Sequence, residues 1–146
     1  MTHEWRRDPY LISTDKARLD ITVIHGFLTR AYWSEGISMA RVNKAIDNSL
    51  NFGLYKGNEQ IGFARVVTDY TSFAYIADVF VLELYRGLGL SIWLMESVVA
   101  HPELQDLRLW TLRTRDAHGL YRKVGFVAPS APERQMERFF PNVYKK

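Results

Sequence analysis

Cysteine is absent from all 146 residues of this chain. That excludes disulfides, thiolate metal ligands and a cysteine nucleophile, and it suits a reducing compartment. Long apolar runs are missing too, since no stretch approaches the roughly 18–20 residues that a bilayer span requires. The opening segment Met1-Thr2-His3-Glu4-Trp5-Arg6-Arg7-Asp8-Pro9 is charged, with no apolar run behind it, and does not read as a secretory signal. The expectation is a cytoplasmic protein with no membrane attachment. Charge of one sign is scarce as well. The chain has 19 basic and 16 acidic residues, a formal net charge of +3, and they are scattered. Such mild basicity would suit a phosphate-bearing ligand, whereas the lack of a basic cluster argues against a nucleic-acid partner. No repeat, low-complexity tract or linker interrupts the chain, so residues 1–146 are expected to form a single domain.

What is present is core-forming material: 47% hydrophobic and 14% aromatic residues, enough for one packed interior. Tyr10 to Thr14 reads as a short strand. Asp20 then caps a helix whose face is Ile21, Ile24, Phe27, Leu28 and Ala31, and Tyr32-Trp33-Ser34-Glu35-Gly36 breaks it. Ser38 caps a second helix with Met39, Val42, Ala45 and Ile46 on one face. The period then shortens. Phe52–Tyr55 and Gln60–Val67 flank the hairpin signal Lys56-Gly57-Asn58-Glu59, and Phe73–Val81 is the next strand of a meander. Helical spacing returns at Leu90, Leu94 and Val98 and stops before Pro102. Leu107–Leu112 reads as a strand and Ala117–Val124 as a short helix closed by Gly125. Phe126-Val127 and Gln135–Phe139 are expected to add two more strands. The predicted order β-α-α-β-β-β-α-β-α-β-β implies an α+β fold, a mixed and mostly antiparallel central sheet flanked by helices.

The informative segment is the run from Asp78 to Ser91. There a predicted strand enters the loop Arg86-Gly87-Leu88-Gly89-Leu90-Ser91, and the loop opens a helix. Glycine permits a tight turn and close approach by a ligand. Exposed loop amides at a helix N-terminus make an anion site, to which Arg86 could add a charged donor. The same glycines also suit a plain helix-start turn. No Gly-Lys-Ser/Thr follows, and Ile92 stands where a dinucleotide fold would place its third glycine.

This loop resembles the acetyl-CoA loop of the GNAT superfamily of N-acetyltransferases, Gln/Arg-x-x-Gly-x-Gly/Ala, with Arg86, Gly89 and Ser91 at the defined positions. Ser91 departs from the usual Gly/Ala but remains small. About 30 residues on, Ala117-His118-Gly119-Leu120-Tyr121-Arg122-Lys123-Val124-Gly125-Phe126 resembles the family's closing motif Ala-x-x-Leu-Tyr-x-Lys-x-Gly-Phe. The resemblance covers roughly residues 10–140.

It implies an acyltransferase that moves an acetyl group from acetyl-CoA to a primary amine by direct attack with both ligands bound. The acceptor would be a small or amino-acid-like molecule, and no metal would be needed. The fourth and fifth strands would splay, with the pantetheine arm bonded along Val79, Phe80 and Val81 and the pyrophosphate wrapped by Arg86, Gly87, Leu88, Gly89, Leu90 and Ser91. Lys123 would reach the phosphates or stay solvated. Tyr121 matches the general acid that protonates or hydrogen-bonds the departing thiolate, or else it is a packed aromatic. Asp78 is the first candidate for a general base, beside Glu83, His118 and water. Tyr32, Trp33 and Tyr75, with Tyr70 nearby, form either an aromatic wall for the acceptor or ordinary core. Dimerisation through C-terminal strands is common in the family, so a homodimer is one assembly the resemblance suggests. A non-catalytic acyl-CoA sensor is the alternative reading, against which the retained Tyr121 argues.

Overall fold

The structure, a computed structural model, describes residues 1–145. Its first elements are strands β1 (Glu4–Arg7) and β2 (Tyr10–Ser13), then helices α1 (Ile21–Leu28) and α2 (Met39–Asp47). The meander follows as β3 (Leu50–Lys56), β4 (Glu59–Thr68) and β5 (Phe73–Val81). Helix α3 (Leu90–Val99), strand β6 (Leu109–Leu112) and helix α4 (His118–Arg122) complete the frame. The six strands form one sheet in the order β1-β2-β3-β4-β5-β6. Every neighbouring pair is antiparallel except β5 and β6, which are parallel. The predicted fold class is the observed one.

Helix starts follow local chemistry. The Asp20 carboxylate accepts from the Val23 amide and the Ser38 hydroxyl from the Arg41 amide, each at 3.2 Å. Such caps contribute about 1 kcal/mol apiece. Both faces of the sheet are covered. Phe52, Leu54, Ile61, Val66, Ile76 and Val81 meet Trp93, Leu94, Met95 and Val98 of α3 in one core. On the opposite face Ile24, Leu28, Val42 and Ile46 of α1 and α2 pack on Phe63 and Phe80.

Some elements differ from expectation. The sequence pattern does not announce a strand at Glu4–Arg7, because Glu-Trp-Arg-Arg lacks an apolar alternation. It is an edge strand that buries part of Trp5 and turns charge outward, as edges commonly do. The strands expected at Phe126-Val127 and Gln135–Phe139 do not form. Pro129 and Pro132, which carry no ladder donor, interrupt the stretch between the two runs. The last part of the chain is held instead by side chains: Glu137 pairs with Arg113 at 2.9 Å, and Tyr144 packs with the α1–α2 core.

The β4–β5 ladder carries one irregularity. Between the pairs Phe63–Phe80 and Arg65–Ala77, β5 advances three residues while β4 advances two. Asp78 sits in this bulge with φ of 54°. The extra residue shifts the alternation, so Ala74 and Ile76 join the α3 core before it and Val81 after it, while Phe80 faces α1.

Candidate active site

Strand β5 is the spine of the site. Its parallel pairing with β6 runs from Phe73–Leu109 to Ile76–Leu112 and ends there. Residues Ala77 to Val81 continue with β4 on one side and no strand on the other. The backbone edge at Val79, Phe80 and Val81 is thus open towards the gap between β5 and β6. Phe80 itself is core, stacked on Phe27 with centroids 4.1 Å apart and planes 10° from parallel.

At the end of β5 the chain makes a 3-10 turn over Glu83–Tyr85 and enters the glycine loop. Gly87 (φ 81°) and Gly89 (φ 77°) both occupy the left-handed region, and a Cβ at either would meet only open space. Glycine is thus required there by backbone conformation rather than by packing. Gly89 is the N-cap of α3, and among the described residues no side chain caps its start. The Gly87, Leu88 and Gly89 amides donate to no carbonyl of the described residues. Arg86 folds back so that its Nε donates to the Val81 carbonyl at 2.9 Å. A hollow of about 210 Å³ lies against this loop, lined by Arg86, Gly87, Gly89, Leu90 and Ser91 with Leu120 of α4. Unsatisfied amides, a helix N-terminus, an arginine and room for a ligand fit a pyrophosphate-bearing group such as CoA.

On the other side of β5, the bulge presents Asp78 to the α1–α2 connection. Its Oδ2 accepts from Arg65 Nε at 2.7 Å and its Oδ1 from the Trp33 indole N–H at 2.9 Å. Arg65 also reaches the Ser49 hydroxyl at 3.1 Å. Trp33 meets Tyr32 edge-to-face with centroids 5.1 Å apart. The Tyr32 ring in turn carries the Arg115 guanidinium at 3.8 Å from its centroid, and its hydroxyl accepts from the Arg115 amide at 3.2 Å. Tyr121 of α4 is half-buried, edge-on to Phe126 at 6.0 Å. Burial, with the nearby Tyr32 hydroxyl adding to it, pushes its phenol up to about 12.

The structure therefore joins Tyr32, Trp33 and Asp78 in one chain of contacts, with Tyr121 near enough to feel the Tyr32 hydroxyl. Tyr75 does not join them. It lies in the paired half of β5, opposite Val67 and Thr111, and no hydrogen bond or ring contact links it to Tyr32, Trp33 or Asp78. Lys123 is exposed at the C-cap of α4, and His118, Glu83 and Tyr70 are exposed as well. Two residues of this network, Arg65 and Arg115, are not singled out by the sequence reading. A signal exists for the first: a charged residue inside the buried run Gly62-Phe63-Ala64-Arg65-Val66 needs a counter-charge. None exists for Arg115, which stands among other arginines.

The family model for the acetyltransferase (GNAT) domain matches residues 47–128, which include β3 to α4 and the glycine loop. The chain belongs to the GNAT family of acetyltransferases. It is 48% identical to a GNAT-family protein of Xanthomonas campestris pv. campestris whose crystal structure superposes with a TM-score of 0.92, covering 94% of this chain and 97% of that one. A protein of Gibberella zeae named as an acetyltransferase is 28% identical over 73% of this chain and 74% of its own length. A GNAT acetyltransferase of Elizabethkingia anophelis, solved with acetyl-CoA bound, shares the fold at a TM-score of 0.65 and 17% identity, over 93% of this chain and 91% of its own. Membership implies acyl transfer from acetyl-CoA. Among the described residues no helix is long and apolar enough to cross a membrane.

Proposed function

We propose that this GNAT enzyme transfers the acetyl group of acetyl-CoA directly to a primary amine of a small or amino-acid-like acceptor, with both molecules bound at once. The observation that carries this reading is the open edge of β5 beyond Ile76, with the phosphate loop at its end and the Asp78–Trp33–Tyr32 wall on its α1 side. Two ligands entering from opposite sides would meet at that edge, and much of the rate would come from their alignment.

Gly87 to Ser91 and Arg86 would hold the pyrophosphate, and Val79 to Val81 would offer backbone groups to the pantetheine arm. The bound thioester supplies the acetyl group and a thiolate leaving group. Asp78 would receive the acceptor's ammonium and take its proton, directly or through water. Two of its roughly four acceptor positions are engaged by Arg65 and Trp33, which leaves room for one more donor.

Tyr121 would donate to the departing sulfur. A phenol held near 12 stays protonated at neutral pH. It is also more than three pKa units less acidic than an ordinary thiol, about 8.5. Complete proton transfer to the thiolate is therefore uphill, and a hydrogen bond is the stronger contribution.

The test is acetyl-CoA-dependent thiol release across primary amines, amino acids, polyamines and peptide N-termini. Turnover with a primary amine is expected, and Tyr121→Phe should lower kcat about 10–100-fold with acetyl-CoA affinity retained. Tight acetyl-CoA binding without thiol release on any acceptor would instead point to a non-catalytic sensor.

A further inference from the structure

Residues 113 to 116, just beyond β6, hold two arginines in contrasting states. Arg113 is committed: its Nη2 meets Glu137 at 2.9 Å, and its guanidinium lies over the Phe139 ring at 5.1 Å. Arg115 has no such carboxylate. Its acidic neighbour among the described residues is Asp116 at 3.9 Å, and the two side chains are 65% and 71% exposed. A pair that long and that solvated holds little.

Arg115 is nonetheless fixed in place. Its guanidinium lies on the Tyr32 ring at 3.8 Å, closer than any other cation–ring pair among the described residues, and its backbone amide donates to the same tyrosine's hydroxyl. The ring lies against the guanidinium carbon, and the long, exposed Asp116 pair leaves the N–H groups available. A guanidinium held against an aromatic ring with its fork uncommitted can take a carboxylate through two parallel hydrogen bonds.

An anion stands across the same wall from this cation. Tyr32 abuts Trp33, and Trp33 donates to Asp78, so Arg115 and Asp78 occupy two ends of one aromatic surface. That is the charge pattern of a molecule bearing both a carboxylate and an ammonium.

We propose that the acceptor is an amine that also carries a carboxylate, and that Arg115 binds this carboxylate while the amine points to Asp78. The assignment rests on the reading of the site as an N-acetyltransferase cleft and adds the substrate class to it. The same fork could meet a cosubstrate phosphate, so the experiment separates the two anions.

Matched pairs decide it: amino acids against their primary amides, which keep the amine and side chain and lose only the negative charge. Wild-type enzyme should favour the acid over the amide by about 30-fold or more in kcat/KM. Arg115→Ala should raise the acid's KM and lower its kcat/KM at least about tenfold more than the amide's, with Arg115→Lys recovering part of the loss. Equal use of acid and amide by the wild type, or an equal loss for both in Arg115→Ala, overturns the proposal. So does a fall in acetyl-CoA affinity as large as the fall in acid use, which would place Arg115 on the cosubstrate. If no pair is acetylated, thiol release with the other primary amines decides the enzymatic reading separately. Calorimetry with the CoA-loaded protein then still decides Arg115: acid binding that Arg115→Ala removes supports the assignment, and no acid binding overturns it.

Discussion

Arg65 enters the sheet with a side chain only 19% exposed, and the carboxylate that neutralises it, Asp78, is 12% exposed. Burying either charge alone would be costly, so the two are one structural unit with Trp33 as its third member. Asp78→Asn keeps the shape and removes the negative charge. Discounted for partial exposure, the loss should be about 2 kcal/mol, a fall in Tm of roughly 6–8 °C for a domain of this size. Calorimetry and circular dichroism melts measure it. The same variant probes chemistry. If Asp78 takes the amine's proton, kcat should fall about 100-fold with acetyl-CoA affinity retained. A kcat unchanged from wild type would assign deprotonation to water. At this scale the sequence is partly legible. Asp78 can be picked out because it begins the strand segment leading into the glycine loop. Its left-handed backbone cannot, because that comes from a register shift between two strands. Arg115 is invisible for a similar reason: its partner Tyr32 lies 83 residues earlier.

Elements carry the side of the site proposed for the cofactor. The glycine loop is held by Gly87 and Gly89 in the left-handed region and by the Arg86–Val81 bond that folds the arginine against the strand end. Gly89→Glu would impose a strained backbone and set a carboxylate where an anion is expected to bind. Acetyl-CoA affinity measured by calorimetry should fall more than about 100-fold, while the melting temperature, with no packing lost at that position, drops by only a few degrees. Wild-type affinity would remove the loop from the cofactor site. The loop is readable because its chemistry is local: strand, two glycines, helix. The meander and the capped helices are readable for the same reason. Local pattern alone misleads at the C-terminal end. A run such as Gln135–Phe139 becomes a strand only beside a paired edge, and here Pro129, Pro132 and the Arg113–Glu137 pair hold the segment otherwise. In the opposite sense, Glu4–Arg7 has little strand character alone and is a strand because β2 supplies its ladder.

On the scale of the whole molecule, the sheet separates two cores, and the cleft opens where β5 crosses from one pairing regime to the other. The far end of the sheet is closed by the β1–β2 hairpin, which is tied to the end of α3 through a buried aromatic group. His101 is 1% exposed, and its ring contacts His3 at 4.6 Å, Phe52 at 5.7 Å and Trp5 at 6.3 Å. Its Nδ1 accepts from the Glu103 amide, whereas His101 Nε2 and His3 Nδ1 are buried without a hydrogen-bond partner among the described residues. Burial, and then the neighbouring His3, lower the His101 pKa below its ordinary value. Proton linkage then has a definite sign. The unfolded chain binds a proton near pH 6.5 that the folded chain accepts only at lower pH, so stability is whole above about 6.5 and falls as pH drops through the folded value. His101→Phe retains an aromatic ring and cannot titrate. It loses the cap on Glu103, so its melting temperature should start lower, by the equivalent of about 1 kcal/mol. Its decline between pH 7 and pH 5 should nevertheless be shallower than that of the wild type. Melting temperatures for both proteins across that range give the two slopes. Parallel slopes would mean that the hairpin clamp is indifferent to protonation and that carboxylate pairs elsewhere govern the acid limit.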